Sequence, residues 1–146
     1  TITLIVGIGN DLKGDDGVGP FVCRQLRGRV SAKLIDAGTA PENHIQPIVR
    51  AGPDNLLIVD AMDFGAEAGA MKLFEATDLN SAVMSTHSLS PRLFVDLIRR
   101  EIEVDVCFLG IQPAQMQLGQ GLSPEVEAAA RELARILIRI LPGHRG

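Results

Sequence analysis

The chain has 146 residues, 46% hydrophobic and 22% charged, with a formal net charge of -4 and no low-complexity tract. That size and composition fit one globular domain, residues 1–146, with a single core. Net acidity without a basic run excludes a general nucleic-acid binder, and the absence of Trp and Tyr excludes aromatic stacking platforms for bases or sugars.

Residues 1–8 form an apolar run rich in Ile and Val that ends at Gly9-Asn10, the pattern of a central parallel strand covered on both faces. The chain then breaks at glycines, turns acidic at Asp15-Asp16 and resumes as a helix, with Val18, Phe21, Val22 and Leu26 at helical spacing and Pro20 in its first turn. That helix fades near Gly28. Residues 32–37 read as a second strand, followed by a loop at 38–43 and a short helix with Ile45, Ile48 and Val49 inside, stopped near Gly52-Pro53. Residues 56–61 are the clearest strand, a buried run that delivers Asp60 at its C-terminal end. After a turn at 65–69, residues 70–75 make a weaker strand of mixed polarity, placed at a sheet edge.

Residues 77–90 read as mostly irregular. An amphipathic helix starts near Ser90-Pro91, turns Leu93, Phe94, Leu97 and Ile98 inward, and carries Arg99 and Arg100 at the end that favours cations. Residues 104–109 read as a strand broken by Gly110, and 112–121 as a polar loop. Ser123-Pro124-Glu125 opens the last helix, with Ser123 as N-cap and Val126, Ala130, Leu133, Leu137 and Leu141 on its inner face. Strands alternating with helices predict an α/β three-layer sandwich: a mostly parallel, five-stranded twisted sheet with helices on both faces.

Cys23 and Cys107 make no pair motif and read as buried small hydrophobes in a reducing compartment. No apolar run reaches the roughly 18 residues of a membrane span. Residues 2–8 are too short for a secretory signal. Both points place the expected location in the cytoplasm, with no membrane insertion.

In parallel sheets, ligands bind outside the carboxyl ends of the strands. The residues expected there are 9–16, 36–43, 60–63, 110–112 and, before the helix at Ser90, His87. A dinucleotide fingerprint fails, because Gly7-Ile8-Gly9 is followed by Leu12 where the third glycine belongs. A phosphate-loop pattern fails too, for want of a Gly-Lys-Ser/Thr. Asp16, Asp60 and His87 instead make an oxygen and nitrogen set suited to a divalent metal with open positions. Each also has an ordinary reading: helix N-terminus for Asp16, loop amides for Asp60, an exposed loop imidazole for His87. Asp15 reads as solvated or as a brace for its loop, Asp63 as a supporting acid, Asp11 as exposed and His44 as a surface residue. No serine carries a nucleophile elbow, and no cysteine lies in a glycine turn.

The blocks Gly9-Asn10-x-x-x-Gly14-Asp15-Asp16-Gly17-x-Gly19, Asp36-x-Gly38-Thr39-Ala40-Pro41-Glu42-Asn43, Val59-Asp60-Ala61-x-Asp63-x-Gly65, Thr86-His87 and Gly110-Ile111-Gln112-Pro113 occur in order. Together they resemble the hydrogenase maturation proteases, the endopeptidases that trim the C-terminus of the [NiFe]-hydrogenase large subunit. The Ala40-Pro41-Glu42-Asn43 variant and Asp16 look most like the branch serving formate-hydrogenlyase and energy-converting hydrogenases. The resemblance implies a mixed sheet with one antiparallel strand. It also implies a nickel-reading site on Asp16, Asp60 and His87, where many members have Glu at the first position. In that picture the nickel is no resident cofactor. It arrives in the large-subunit precursor, held by the precursor's cysteines. The metal would polarise the scissile carbonyl or lower the pKa of a water, or else only position the bond while Asp16 or Asp60 acts as general base. Gly38-Thr39 and the 112–121 loop are the segments expected to contact the precursor's extension, through backbone pairing with an extended peptide. The rival readings are a non-catalytic nickel or precursor chaperone and a small nucleotide-binding module.

Overall fold

A computed structural model describes residues 1–79 and 89–143. Five strands, β1 (Thr3–Ile8), β2 (Lys33–Gly38), β3 (Asn55–Ala61), β4 (Met71–Glu75) and β5 (Asp105–Ile111), form one sheet in the order β2-β1-β3-β5-β4. All pairings are parallel except β4 with β5, which is antiparallel and places β4 at an edge. The helices are α1 (Val18–Leu26), α2 (Ile45–Ala51), α3 (Pro91–Arg99) and α4 (Pro124–Ile140). No described helix is long and apolar enough to cross a membrane.

The strands are apolar without alternation because both faces are covered. Leu4, Val6, Ile8, Leu56, Ile58, Val106 and Phe108 pack with Ile48 of α2 and with Phe94, Val95 and Ile98 of α3. Their neighbours on the opposite face, Ile5, Val59, Ala61, Leu109 and Ile111, pack with Val18, Val22 and Leu26 of α1 and with Val126, Ala130, Leu133 and Leu137 of α4. Each such large side chain contributes about 1.5–3 kcal/mol by burial. Helix starts follow local chemistry where the sequence provides it. Ser90 Oγ accepts the Leu93 N–H at 3.1 Å, with Pro91 as the first helical residue.

Three expectations change. Gly110 does not break β5. It pairs with Asp60 on one side and Lys72 on the other, and it is glycine because a Cβ there would come within 3.0 Å of the Met62 side chain and 3.1 Å of Phe74. Cys107 is half-buried rather than buried, because it lines an open cleft at the amino ends of the strands with Leu57 and Glu75. Leu141 follows the last turn of α4 and is half-buried rather than buried, while still packing against the core beneath that helix.

The site follows from topology. From β1 the chain crosses to β2 on one side, and β3 lies on the other. The connections leaving β1 and β3 therefore diverge, which opens a crevice at the carboxyl ends of these two strands.

Candidate functional site

The loop after β1 is built from glycines that admit other parts of the same chain. A Cβ on Gly9 would fall 1.9 Å from the Asp16 carbonyl oxygen. One on Gly19 would lie 2.4 Å from the Ile8 oxygen and 2.5 Å from the Val59 oxygen. The first turn of α1 is thus pressed onto the ends of β1 and β3. The space these glycines leave is filled by backbone, not kept open for a ligand.

Within this loop the Leu12 N–H donates to Asn10 Oδ1 at 2.9 Å and the Asn10 N–H donates to Asp16 Oδ2 at 3.1 Å. Residues Gly14–Gly17 make a single tight 3-10 turn, closed by the Asp16 N–H on the Lys13 carbonyl at 3.1 Å. That turn packs against β3. Asp16 is only 3% exposed and Asp60, the penultimate residue of β3, 2%. The structure therefore brings both carboxylates to one sheet edge, in the crevice between β1 and β3. Asp60 lines a small niche together with Ile8, Pro41, Leu89, Pro91, Phe94 and Phe108. Pro41 belongs to the Ala40-Pro41-Glu42-Asn43 block, and its burial there gives that block a place in the site. His87, the third expected member, lies outside the described residues. Among the described residues no group of three or more His, Cys, Asp or Glu side chains is placed to hold a metal ion.

Asp15 points the other way. It is fully buried and accepts the N–H groups of Ala114 at 2.8 Å, Gln115 at 3.0 Å and Ser123 at 2.7 Å, besides the Ser123 hydroxyl. It is a brace, and the loop it braces against is the one at 112–121. The serine expected to cap α4 does not do so through its side chain, because its hydroxyl is donated to Asp15. No local signal could reveal this, since the partners are 108 residues apart.

Gln112 is the other organising residue, and its role was invisible in its motif. Its Oε1 accepts from Phe64 N–H at 2.8 Å and Ala66 N–H at 3.2 Å, and its Nε2 donates to Asp63 Oδ1 at 3.0 Å. It thereby pins the segment that follows Asp60. Asp63 is exposed and supports that segment. Its carboxyl is held below the usual Asp value by the Gln112 amide and then by the Gly65 N–H. Asp11, also exposed, makes a two-point ion pair with Arg24. His44 is half-buried, its Nδ1 against the Ala40 carbonyl at 3.1 Å. Cys23 is buried, and burial, reinforced by Asp36, pushes its thiol up to about 11, so it offers no nucleophile at neutral pH.

Two buried carboxylates set at a topological switch point are capable of proton transfer or of ligating a hard cation. The family model for hydrogenase maturation protease matches residues 22–140. The hydrogenase 3 maturation protease of Escherichia coli is 35% identical over 113 residues, 75% of this chain and 72% of that one. The crystal structure of the [NiFe] hydrogenase maturation protease HycI from Thermococcus kodakarensis superposes with a TM-score of 0.88 at 32% identity, over 97% of this chain and 92% of that one. The solution structure of the endopeptidase HycI from Escherichia coli gives 0.86 at 30%, over 95% and 90%. The sequence blocks, the mixed sheet and these matches agree: the chain belongs to the hydrogenase maturation protease family and is a peptidase.

Proposed function

We propose that this peptidase removes a C-terminal extension from the nickel-loaded large-subunit precursor of a [NiFe]-hydrogenase, and that Asp16, Asp60 and His87 read the substrate's nickel. The observation that carries the reading is the pair of buried carboxylates at the crevice between β1 and β3. Ligands of parallel sheets bind outside the carboxyl ends of the strands, and two acids set together at that edge are placed for chemistry there. The ligand chemistry fits a metal that comes with its substrate. Two carboxylates and an imidazole without thiolate hold nickel weakly, and bind best when the precursor's cysteines complete the coordination. Selection then rests on the metal's presence in the precursor.

Hydrolysis needs a water oxygen to attack the scissile carbonyl carbon. One of the two carboxylates takes the proton from that water, and the C–N bond breaks as the leaving amine is protonated. Similarity to a relative named for hydrogenase 3, together with the Ala40-Pro41-Glu42-Asn43 block, supports a substrate from the formate-hydrogenlyase and energy-converting branch, and the free cysteines Cys23 and Cys107 fit a reducing, cytoplasmic place of work.

The test is mass spectrometry of the precursor's C-terminus after incubation. Asp16→Asn, Asp60→Asn and His87→Ala should each cut nickel-loaded precursor at least about 100-fold more slowly than the parent, with unchanged circular dichroism. Nickel-free precursor should stay whole. Equal cleavage of the two forms removes the nickel reading, and full cleavage by His87→Ala removes the imidazole from it.

A further inference from the structure

Asp60 shares its sheet row with Gly110. The two are paired across the β3–β5 ladder, and partners in a ladder point to the same face. Ile58 and Phe108, two residues earlier on each strand, pack on the side of α3, so Asp60 and Gly110 belong to that face. Gly110 has no side chain to set beside the carboxylate. The Met62 side chain and the Phe74 ring take that space: a Cβ on Gly110 would come within 3.0 Å of the first and 3.1 Å of the second. Met62 is fully buried and opens the segment that follows β3. The wall on the β5 side of Asp60 is therefore built partly by a loop residue.

Gln112 holds that loop with both its main chain and its side chain. The Gln112 N–H donates to the Ala70 carbonyl at 2.8 Å, its carbonyl accepts the Gly69 N–H at 2.8 Å, and the Met62 N–H donates to the Ile111 carbonyl at 3.1 Å. The Gln112 amide sits inside the loop, accepting from Phe64 and Ala66 and donating to Asp63. Its orientation is fixed, because the reverse would set its NH2 against two N–H donors and its oxygen against a carboxylate. Gln112 is only 6% exposed, and a buried polar network whose members are all satisfied is stiff. Phe64, whose N–H it holds, sets its ring edge-on to Phe74 at 5.6 Å. One glutamine thus bears on both groups that stand over Gly110, beside Asp60.

We propose that Gln112 is a positioning residue of the hydrolysis: by clamping residues 63–66 it keeps Met62 and Phe74 over Gly110 and so holds the Asp60 carboxylate in place for the reacting bond. This rests on the reading of Asp60 given above. A catalytic group misplaced by about 1 Å can lose on the order of 100-fold in rate, so a loosened wall is felt in kcat. The probe is nickel-loaded large-subunit precursor, cleaved by the parent, Gln112→Glu, Gln112→Glu with Asp63→Asn, Asp60→Asn, and Asp60→Asn with Gln112→Glu. Circular dichroism melts establish that each variant is folded at the assay temperature.

Gln112→Glu keeps an acceptor for the two N–H groups but sets carboxylate against carboxylate at Asp63. Its kcat should fall about 10-fold, with KM within about twofold of the parent. Adding Asp63→Asn supplies an amide that donates to the new carboxylate, and should restore kcat to within about twofold of the parent. On the Asp60→Asn background Gln112→Glu should have no further effect, because the group it positions is already lost. A purely structural role would lower the residual rate by the same factor on both backgrounds, and that result overturns the proposal. So does a parental kcat in Gln112→Glu, or a swap that restores nothing. If Gln112→Glu does not fold, Gln112→Asn, which keeps the amide but shortens its reach, takes its place on the two backgrounds. Asp60→Asn that cuts like the parent refutes the reading of Asp60 and the proposal with it. A slow Asp60→Asn beside a parental Gln112→Glu refutes the proposal alone.

Discussion

Asp15 and Asp16 are neighbours of the same chemistry with opposite duties. The 3-10 turn sets the Asp16 carboxylate against its own loop, where it accepts the Asn10 N–H, and sends Asp15 toward the 112–123 segment, where it accepts three backbone N–H groups and a hydroxyl. Losing such an acceptor leaves several buried donors unpaired, which is costlier than losing an ordinary hydrogen bond. Asp15→Ala should therefore lower the unfolding free energy by about 3 kcal/mol or more. Ser123→Ala, which removes one donor and leaves the carboxylate its backbone partners, should cost about 1 kcal/mol. Urea denaturation compares them, and an Asp15→Ala variant within 1 kcal/mol of the parent, as judged by its midpoint shift, contradicts the brace.

At the scale of elements, the decisive contact is the start of α1 against the ends of β1 and β3. It depends on Gly19, whose added Cβ would overlap two carbonyl oxygens that belong to rigid strands and cannot move aside. Gly19→Ala should push α1 off the sheet edge, cost about 2–4 kcal/mol and carry Asp16 out of place, so that processing falls along with stability. Gly121→Ala is the control: it has no positive φ and nothing within 4 Å of its added Cβ. Its stability should stay within about 0.5 kcal/mol of the parent, and thermal melts with the cleavage assay separate the two. A tolerated Gly19→Ala would mean that α1 does not press on the strand ends.

For the molecule as a whole, Cys23 links stability to pH. It packs between α1 and the sheet, its Sγ directed at the Ile35 carbonyl at 3.7 Å, and folding raises its pKa from 9.0 to about 11. A group whose pKa is raised by folding contributes stability that is complete below the unfolded value and is lost as pH climbs through the folded one. Unfolding free energy should therefore decline between pH 9 and 11. Cys107, raised in the same direction mainly by burial, adds a smaller share. The absence of Tyr keeps this window readable. Cys23→Ala should flatten most of the decline in chemical denaturation followed across that range, and an unchanged slope would show that the thiol is not its source.

The alternation of strands and helices, the edge position of β4 and the approach of Asp16 and Asp60 to one sheet edge were all legible in the residue order. They follow from local pattern and from the rule that parallel strands deliver their ends to one side. Five spaced blocks carried the family. His87, third in the expected site, falls outside the described residues and stays with the sequence reading. What needed the tertiary structure was every role set by a distant partner: Asp15 with Ser123, Gln112 with the segment after Asp60, Gly110 inside a strand it was expected to end. The loop of residues 9–17 shows why. Glycine marks a place where something comes close, but only the fold says whether that is a ligand or, as here, the chain's own carbonyl oxygens.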